Sequence, residues 1–461
     1  MERAMSALEA ARQKRHWSLE EAAQRIGIDR ATLWRWEKGL AKPRAVNLRQ
    51  LCETYEMSPQ ELGFGEDDGV AIVGQLQDGD ALREYIASNL KLRLSALASA
   101  PVTEFQVLHG MMLSIIEEAT MNMDLAQAHT TRREALRELA TLPLLALNLT
   151  SFSRGKPRLN IARAGDILAQ CTAGIAACVE LSKGKEHSDL LLAHDSLSKY
   201  FPVLKWVIKN ASSPLRQTAM SLAAQVANVQ ALLSWHLHGI REALQYGKEA
   251  VAFAWESEDA TILLLTLSYL AWVYYYSGQH KAAYDTCRHA CSLLERTTPP
   301  QVQSNIYSCT SVMGAKLGQQ DTTLLRKAAR VFPVGEYETY GGFGQSELVL
   351  NDGMTHYHWG DYDKALDSLG QLIDADTLTL KMSLPERMRL EALNFMTLSS
   401  LKSKDRDMER IIHIWTEAIT GAEALHSEQR FNEARYIHDL FEVIWPGEKR
   451  IAELREYVVH W

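Results

Sequence analysis

The feature that most constrains this chain is self-similarity. With a glycine closing one helix and an alanine inside the next as register, three segments align. They are VANVQALLSWHLHGIREALQYGKEAV, LSYLAWVYYYSGQHKAAYDTCRHA and LVLNDGMTHYHWGDYDKALDSLGQL. Weaker copies lie at 305–329 and 390–411. The copies begin near Ala224, Leu264, Ser304, Ser346 and Leu390, so the steps are 40, 40, 42 and 44 residues. A helix pair of that length cannot bury its apolar face alone and must stack on its neighbours. The pattern predicts an α-solenoid of helix pairs over 224–461, after a helical region 81–223 with degenerate pairs at 165–181 and 189–208.

The rest of the chain agrees with an all-α fold. Glycine and proline number only 26 and 12 in 461 residues, and no strand-type alternation persists. A hydrophobic fraction of 46% excludes wholesale disorder. Six cysteines in this length do not make a disulfide scaffold. The opening MERAMSALEAARQKRHW lacks an apolar secretory core, so a cytoplasmic protein is expected. The most apolar run, 261–276, is shorter than the ~20 residues a membrane span needs, so no membrane partner is expected. The arginine pair at 132–133 superficially looks like an export signal but reads as an amphipathic helix far from the N-terminus.

Residues 1–62 differ in character and predict five short helices. Ser18 and Glu21 form a capping box for a helix ending at Gly27. Asp29 caps the next, 30–38, which Gly39 closes. A fourth helix covers 45–55, and Ser58-Pro59 starts a fifth. Residues 63–80 hold five glycines and five acids and read as a flexible linker. Two short helices joined by Gly-Ile-Asp make a helix-turn-helix, with Leu33 and Trp36 facing the core. Arg30, Ala31, Thr32, Arg35 and Lys38 then project outward, and Trp34 is an exposed aromatic.

Charge is distributed to match. The formal net charge of −8 hides a division: residues 1–62 are +2, and the other 399 are −10. Within the first part, 30–49 carries six basic residues against Glu37. That is the electrostatics a helix in the major groove requires, with guanidinium forks for base edges and cations for phosphates.

WSLEEAAQRIGIDRATLWRWEKGLAKP resembles the Cro/repressor-type (XRE-type) DNA-binding domain, with its Trp36-Glu37-x-Gly39 closure and Pro43 shortly after. The resemblance places Arg30, Ala31, Thr32 and Arg35 at base-facing positions. It places Ser18, Lys38, Lys42 and Arg44 on the phosphate backbone, and pairs Glu37 with Arg12. The bland alternative is a small helical module with a solvated basic face.

The repeats are similar to tetratricopeptide repeats. Gly278, Ala283 and Ala290 match that pattern, as do Gly360, Tyr362 and Ala365, although the step exceeds the ~34 residues of that repeat. The resemblance implies that the first helix of each pair lines a concave face. Asn228, Ser268, Asn351 and Asn394 fall at equivalent concave positions, with Asn305 one turn away. Trp272, Tyr275, Tyr276, Tyr357 and His358 are also on inner positions. An asparagine ladder offers donors and acceptors to an extended peptide, and aromatics offer pockets. The alternative is that these residues cross-link and pack the helices.

An XRE-type domain followed by such repeats resembles the peptide-pheromone regulators (the RRNPP class) of Gram-positive bacteria. The resemblance implies a homodimer on a palindromic double-stranded DNA operator, controlled by a short peptide or protein effector. The long repeat step and the stretch 81–223 depart from that family. A second reading is a scaffold whose repeats hold a protein partner, with the N-terminal module as a dock. No Walker, Rossmann, HExxH or nucleophile-elbow motif is present, so neither an enzyme nor a cofactor is expected. Cys287 and Cys291 stand four apart on one helix, but Cys287 occupies a packing position, so no metal site is expected.

Overall fold

The structure is a computed structural model, which describes residues 7–15, 17–26, 28, 30–37, 50–52, 54–55, 57–58, 61–62, 132–141, 164–332 and 343–459. The chain divides into two compact units, one comprising 1–93 with 111–135 and the other 94–110 with 136–461. The fold is all-α. Among the described residues no strand forms, and one isolated antiparallel bridge joins Ile373 to Leu380. The expected linker 63–80 lies outside the described residues.

In the first unit α1 (Ala7–Lys14), α2 (Leu19–Ile26) and α3 (Arg30–Glu37) are described. Their apolar stripes converge on one core: Leu8, Ala11, Ala22, Ala23, Ile26, Leu33 and Trp36, with Leu51, Tyr55 and Leu62 from beyond α3. Leu33 and Trp36 therefore face inward as their spacing predicts. The Ser18 box is made reciprocally. Glu21 N–H donates to Ser18 Oγ at 3.1 Å, and Ser18 N–H donates to Glu21 Oε2 at 2.9 Å. Ser58 and Glu61 repeat the arrangement at 2.8 and 3.3 Å.

The second unit is built from helix pairs. They are α4 (Ala164–Leu181) with α5 (His187–Asn210), α6 (Ser213–Leu237) with α7 (Ile240–Glu256), and α8 (Ala260–Tyr276) with α9 (His280–Ser292). There follow α10 (Pro300–Lys316) with α11 (Thr322–Val331), α12 (Gln345–Trp359) with α13 (Tyr362–Leu369), and α14 (Glu386–Lys402) with α15 (Met408–Ala424). Then come α16 (Glu428–Ile444) and the short α17 (Lys449–Glu453) and α18 (Arg455–Val459). Alone among the described helices, α4 is long and apolar enough to cross a membrane, but 72% of that stretch is buried within the protein.

The repeat signature has a physical basis. Gly278, Gly318 and Gly360 follow α8, α10 and α12 at φ of +77°, +80° and +84°, the left-handed region where a Cβ is disfavoured. Each sits in the same C-terminal motif, where the next residue's N–H returns to a carbonyl five residues back. The bonds are Gln279 to Tyr274, Gln319 to Gly314 and Asp361 to His356, at 2.9, 3.0 and 3.0 Å. The turn then feeds a second helix whose inner stripe is small. Ala283, Cys287 and Ala290 of α9 are all fully buried, as are Ala365 and Leu369 of α13. Small residues there let paired axes approach closely. Cys287 belongs to this stripe, and burial pushes its thiol well up.

The sequence does not announce that the succession of pairs closes on itself. Glu386 N–H donates to Lys183 O at 3.1 Å, and Arg387 Nη1 donates to Ser182 O at 2.6 Å. His187 Nδ1 lies 3.2 Å from Leu425 O, and its ring stacks 4.4 Å from His426. His236 Nδ1 meets Ser427 Oγ at 2.7 Å. The early pairs of the unit thus touch α14 and α16.

Gly278→Ala, Gly318→Ala and Gly360→Ala should each destabilise the second unit by about 1–2 kcal/mol, the cost of a left-handed L-residue. Gly165→Ala, where an added Cβ meets nothing within 4 Å, should be neutral or stabilising. Urea denaturation followed by tryptophan fluorescence measures both.

Candidate DNA-reading helix and effector cavity

Helix α3 is held by one bidentate ion pair. Arg12 Nε donates to Glu37 Oε1 at 2.6 Å and Nη2 to Oε2 at 2.8 Å, while Nη1 donates to Trp17 O at 3.1 Å. The Glu37 side chain is only 1% exposed, so the pair is shielded on the acid side. One guanidinium thereby fixes the end of α3 to α1 and to the segment leading into α2. Trp17 is clamped in turn by Arg25, whose guanidinium lies 4.7 Å from its ring, and by Tyr55 at 5.3 Å. Burial pushes the Tyr55 phenol up to about 12.

On the outer face, Arg30 opens α3 with its side chain 68% exposed. Its closest acid is Glu20 at 3.7 Å, itself 74% exposed, a pair too solvated to hold it away from another partner. Trp34 is 45% exposed. Ser18 is exposed, and because its oxygen accepts from the helix, its O–H remains able to donate. Ala31, Thr32 and Arg35 lie on α3, whereas Lys38, Lys42 and Arg44 lie outside the described residues.

The second unit holds a cavity that is partly open to solvent, and its wall comes almost wholly from the first helices of successive pairs. Trp235 and His236 of α6, Ser268, Trp272 and Tyr276 of α8, Asn305 of α10, Asn351 of α12, Arg387 and Glu391 of α14, and Arg430 of α16 line it. The stripe at the equivalent positions is cross-linked. Asn305 Nδ2 donates to Ser268 Oγ at 3.4 Å, Asn351 Nδ2 to Ser308 Oγ at 3.0 Å, and Trp272 Nε1 to Cys309 Sγ at 3.2 Å.

Of the ten positions read from the repeats, Ser268, Trp272, Tyr276, Asn305 and Asn351 share this wall, and Asn228, Tyr275, Tyr357, His358 and Asn394 do not. Tyr275 and His358 instead bond to each other, oxygen to Nε2, at 2.6 Å. Burial, with the charges of Lys316 and Lys402 and the His280 ring, drives the His358 pKa down to about 3, so that ring is neutral. Asn394 donates to Glu433 Oε2 at 3.1 Å. Asn228 is buried on α6.

Sequence reasoning missed Trp235, Arg387, Glu391 and Arg430, because only closure brings α14 and α16 opposite α6. Charged residues recurring inside apolar first helices were the available signal. Arg430 is 2% exposed, yet it donates to Glu391 Oε2 at 2.8 Å, to both Glu433 oxygens at 2.8 and 2.9 Å, and to Arg387 O at 3.0 Å. Its guanidinium also faces the Trp235 and Tyr276 rings at 5.6 and 5.3 Å. Burial outweighs the pull of Arg430 and, with the neighbouring Glu433 carboxylate, holds the Glu391 acid up at about 7.

Several buried polar atoms on the wall have no hydrogen-bond partner among the described residues: Trp235 Nε1, His236 Nε2, Tyr276 OH and Glu391 Oε1. Each such atom costs of order 1–3 kcal/mol if left so. The cavity wall thus carries donors and acceptors that are desolvated and not satisfied by the described residues. Among the described residues no group of three or more His, Cys, Asp or Glu gathers as a metal site.

Comparison with known proteins fits the first unit. The helix-turn-helix family HTH_3 matches residues 8–62. Residues 8–62 are a helix-turn-helix domain. No curated protein matches the chain. A solved structure described as "Structure of phAimR-Ligand" aligns at a TM-score of 0.40 and 10% identity, covering 82% of this chain and 97% of that one. That likeness is too distant to carry a fold or a ligand across.

Two tests follow from this geometry. Glu37→Ala leaves Arg12 unpaired and should destabilise the helix-turn-helix by about 3 kcal/mol, read as faster amide hydrogen exchange in α1–α3 of the full chain. For Glu391, a folded pKa above the unfolded value of 4.5 means stability present below pH 4.5 and lost as pH rises through about 7. The melting temperature of Glu391→Gln relative to the wild type should therefore rise between pH 5 and 8. A flat difference would show that the acid is already ionised.

Proposed function

We propose that this protein is a DNA-binding transcription regulator whose helix-pair unit senses an effector in this cavity. The observation that carries the reading is the conjunction within one chain. A helix-turn-helix domain stands with a cavity whose wall presents desolvated, unpartnered polar groups. The arrangement supports a ligand small enough to be surrounded by first helices, such as a short peptide. Asn305, Asn351 and Ser268 supply amide and hydroxyl groups, and Trp272 and Trp235 supply apolar walls. In this reading Asn228, Tyr275, His358 and Asn394 support the helices around the cavity.

For DNA, the proposal assigns base reading to Arg30, Ala31, Thr32 and Arg35, and phosphate contacts to Ser18, Lys38, Lys42 and Arg44. The Arg12–Glu37 pair positions α3, and it explains why the one acid in the basic segment is not repelled from DNA: its charge is spent internally. A homodimer on a two-fold site, with half-sites a helical turn or a multiple apart, completes the reading. The acidic remainder of the chain would keep the rest of the surface off the duplex.

Genomic fragments retained by the purified full chain supply the operator for a fluorescence-polarisation assay. Arg30→Ala with Arg35→Ala should weaken specific binding at least tenfold, since a good arginine–guanine pair discriminates by about 1–3 kcal/mol. Trp272→Ala with Asn351→Ala should leave DNA affinity intact and abolish its response to culture extract. Retained affinity in the arginine double variant would sink the recognition-helix assignment. A DNA affinity indifferent to extract in the wild type would favour a scaffold instead.

A further inference from the structure

Four arginines are carried by α14 and α16; Arg435 is exposed, and two of the other three are neutralised within the protein. Arg389 pairs with Glu386 at 2.7 Å and Glu417 at 2.9 Å. Arg430 pairs with Glu391 and Glu433, both at 2.8 Å. Arg387 is different. It is half-buried in the cavity wall, and its hydrogen bond goes to a neutral carbonyl, Ser182 O. Among the described residues no carboxylate stands within ion-pair distance of it. Through space it feels the Tyr269 phenol and then the Glu347 acid, opposed by the Arg430 charge. Glu347 Oε2 already accepts from Gly344 N–H at 2.7 Å and Ser346 O–H at 3.1 Å, and burial raises that acid towards its neutral form.

Desolvation is strong enough at this position to lower the Arg387 pKa from its ordinary value. A guanidinium drawn out of water without a counter-charge is unfavourable, and its planar fork is matched to a carboxylate. The surrounding wall shapes what else the occupant carries. Trp235, Trp272, Leu350 and Met354 offer apolar contact, and Glu391 Oε1 offers an acceptor without a partner.

We propose that Arg387 is the anchor for a carboxylate on the effector, so that the cavity selects acidic or free-acid ligands and rejects neutral ones. This rests on the effector-sensing reading above and names the chemistry of its ligand. The carboxylate has two sources, the C-terminus of a short peptide or an Asp or Glu side chain, and both place the same two oxygens on the Arg387 fork.

The test uses full-length protein and three pools of synthetic hexapeptides. The first has free C-termini, the second is C-amidated but contains Asp and Glu, and the third is C-amidated and lacks both. Peptides that co-elute with the protein on size exclusion are identified by mass spectrometry. Retention from the first or second pool, but not the third, is the expected result, and which of the two is retained names the source. Arg387→Met should cut that retention at least tenfold, with Arg387→Lys in between. Equal retention from the third pool, or undiminished retention by Arg387→Met, overturns the proposal while leaving effector sensing intact. Retention from no pool overturns both. Thermal melts of the ligand-free proteins separate anchoring from structural roles. Arg389→Met and Arg430→Met lose ion pairs and should melt earliest, whereas Arg387→Met loses only its bond to the Ser182 carbonyl and should melt closer to the wild type than either. A melt for Arg387→Met as early as that of Arg430→Met would make it a structural tie and remove it as the anchor.

Discussion

The buried guanidinium of Arg430 is the interaction on which the second unit depends. It sits on α16 yet meets carboxylates from α14 and α16, the Arg387 carbonyl, and aromatic rings from α6 and α8. A cation taken that far from water persists only if nearly every donor finds a partner, and here they do. Closing the array through a charge also sets its register more sharply than apolar packing would. Leucine against leucine tolerates sliding; a fork between two carboxylates does not.

Closure changes what the repeats are for. In an open stack each pair answers only to its neighbours, and the inner helices face solvent. Once α14 and α16 stand opposite α6 and α8, the same inner residues wall a chamber. Polar groups that water would have satisfied become desolvated. Glu391, raised to about 7 on the cavity wall, and His358, lowered to about 3 between adjacent pairs, show burial acting in opposite directions on an acid and a base. The first unit uses charge differently. Arg12 and Glu37 cancel inside the domain, while Arg30 of α3 stays exposed beside an equally exposed Glu20.

Much of this was legible in the residues. The helix-turn-helix followed from local chemistry that involves few long-range contacts: the Ser18–Glu21 box, the inward Leu33 and Trp36, and the acid at 37 opposite Arg12. The helix pairs followed from glycines that only a left-handed turn requires and from alanines at close approaches. Periodicity also found Ser268, Asn305 and Asn351, because equivalent positions on stacked helices share a face. It did not find Trp235, Arg387 or Arg430 as neighbours. Their proximity spans about two hundred residues of chain, and nearest-neighbour repetition contains no term for such a contact. Tyr275 and His358 were misplaced for the same reason: an inner position reads the same whether its side chain faces the chamber or bonds to another side chain within the wall.

The closing contacts join residues 191, 205 and 238 positions apart. Stacking of adjacent pairs needs only local loop closure, whereas these contacts carry the full entropic cost of bringing distant segments together. Closure is therefore costlier in chain entropy than the stacking of any one pair. A molecule that occupied the cavity would bind the closed ring and not the open stack, and would stabilise the ring by that difference.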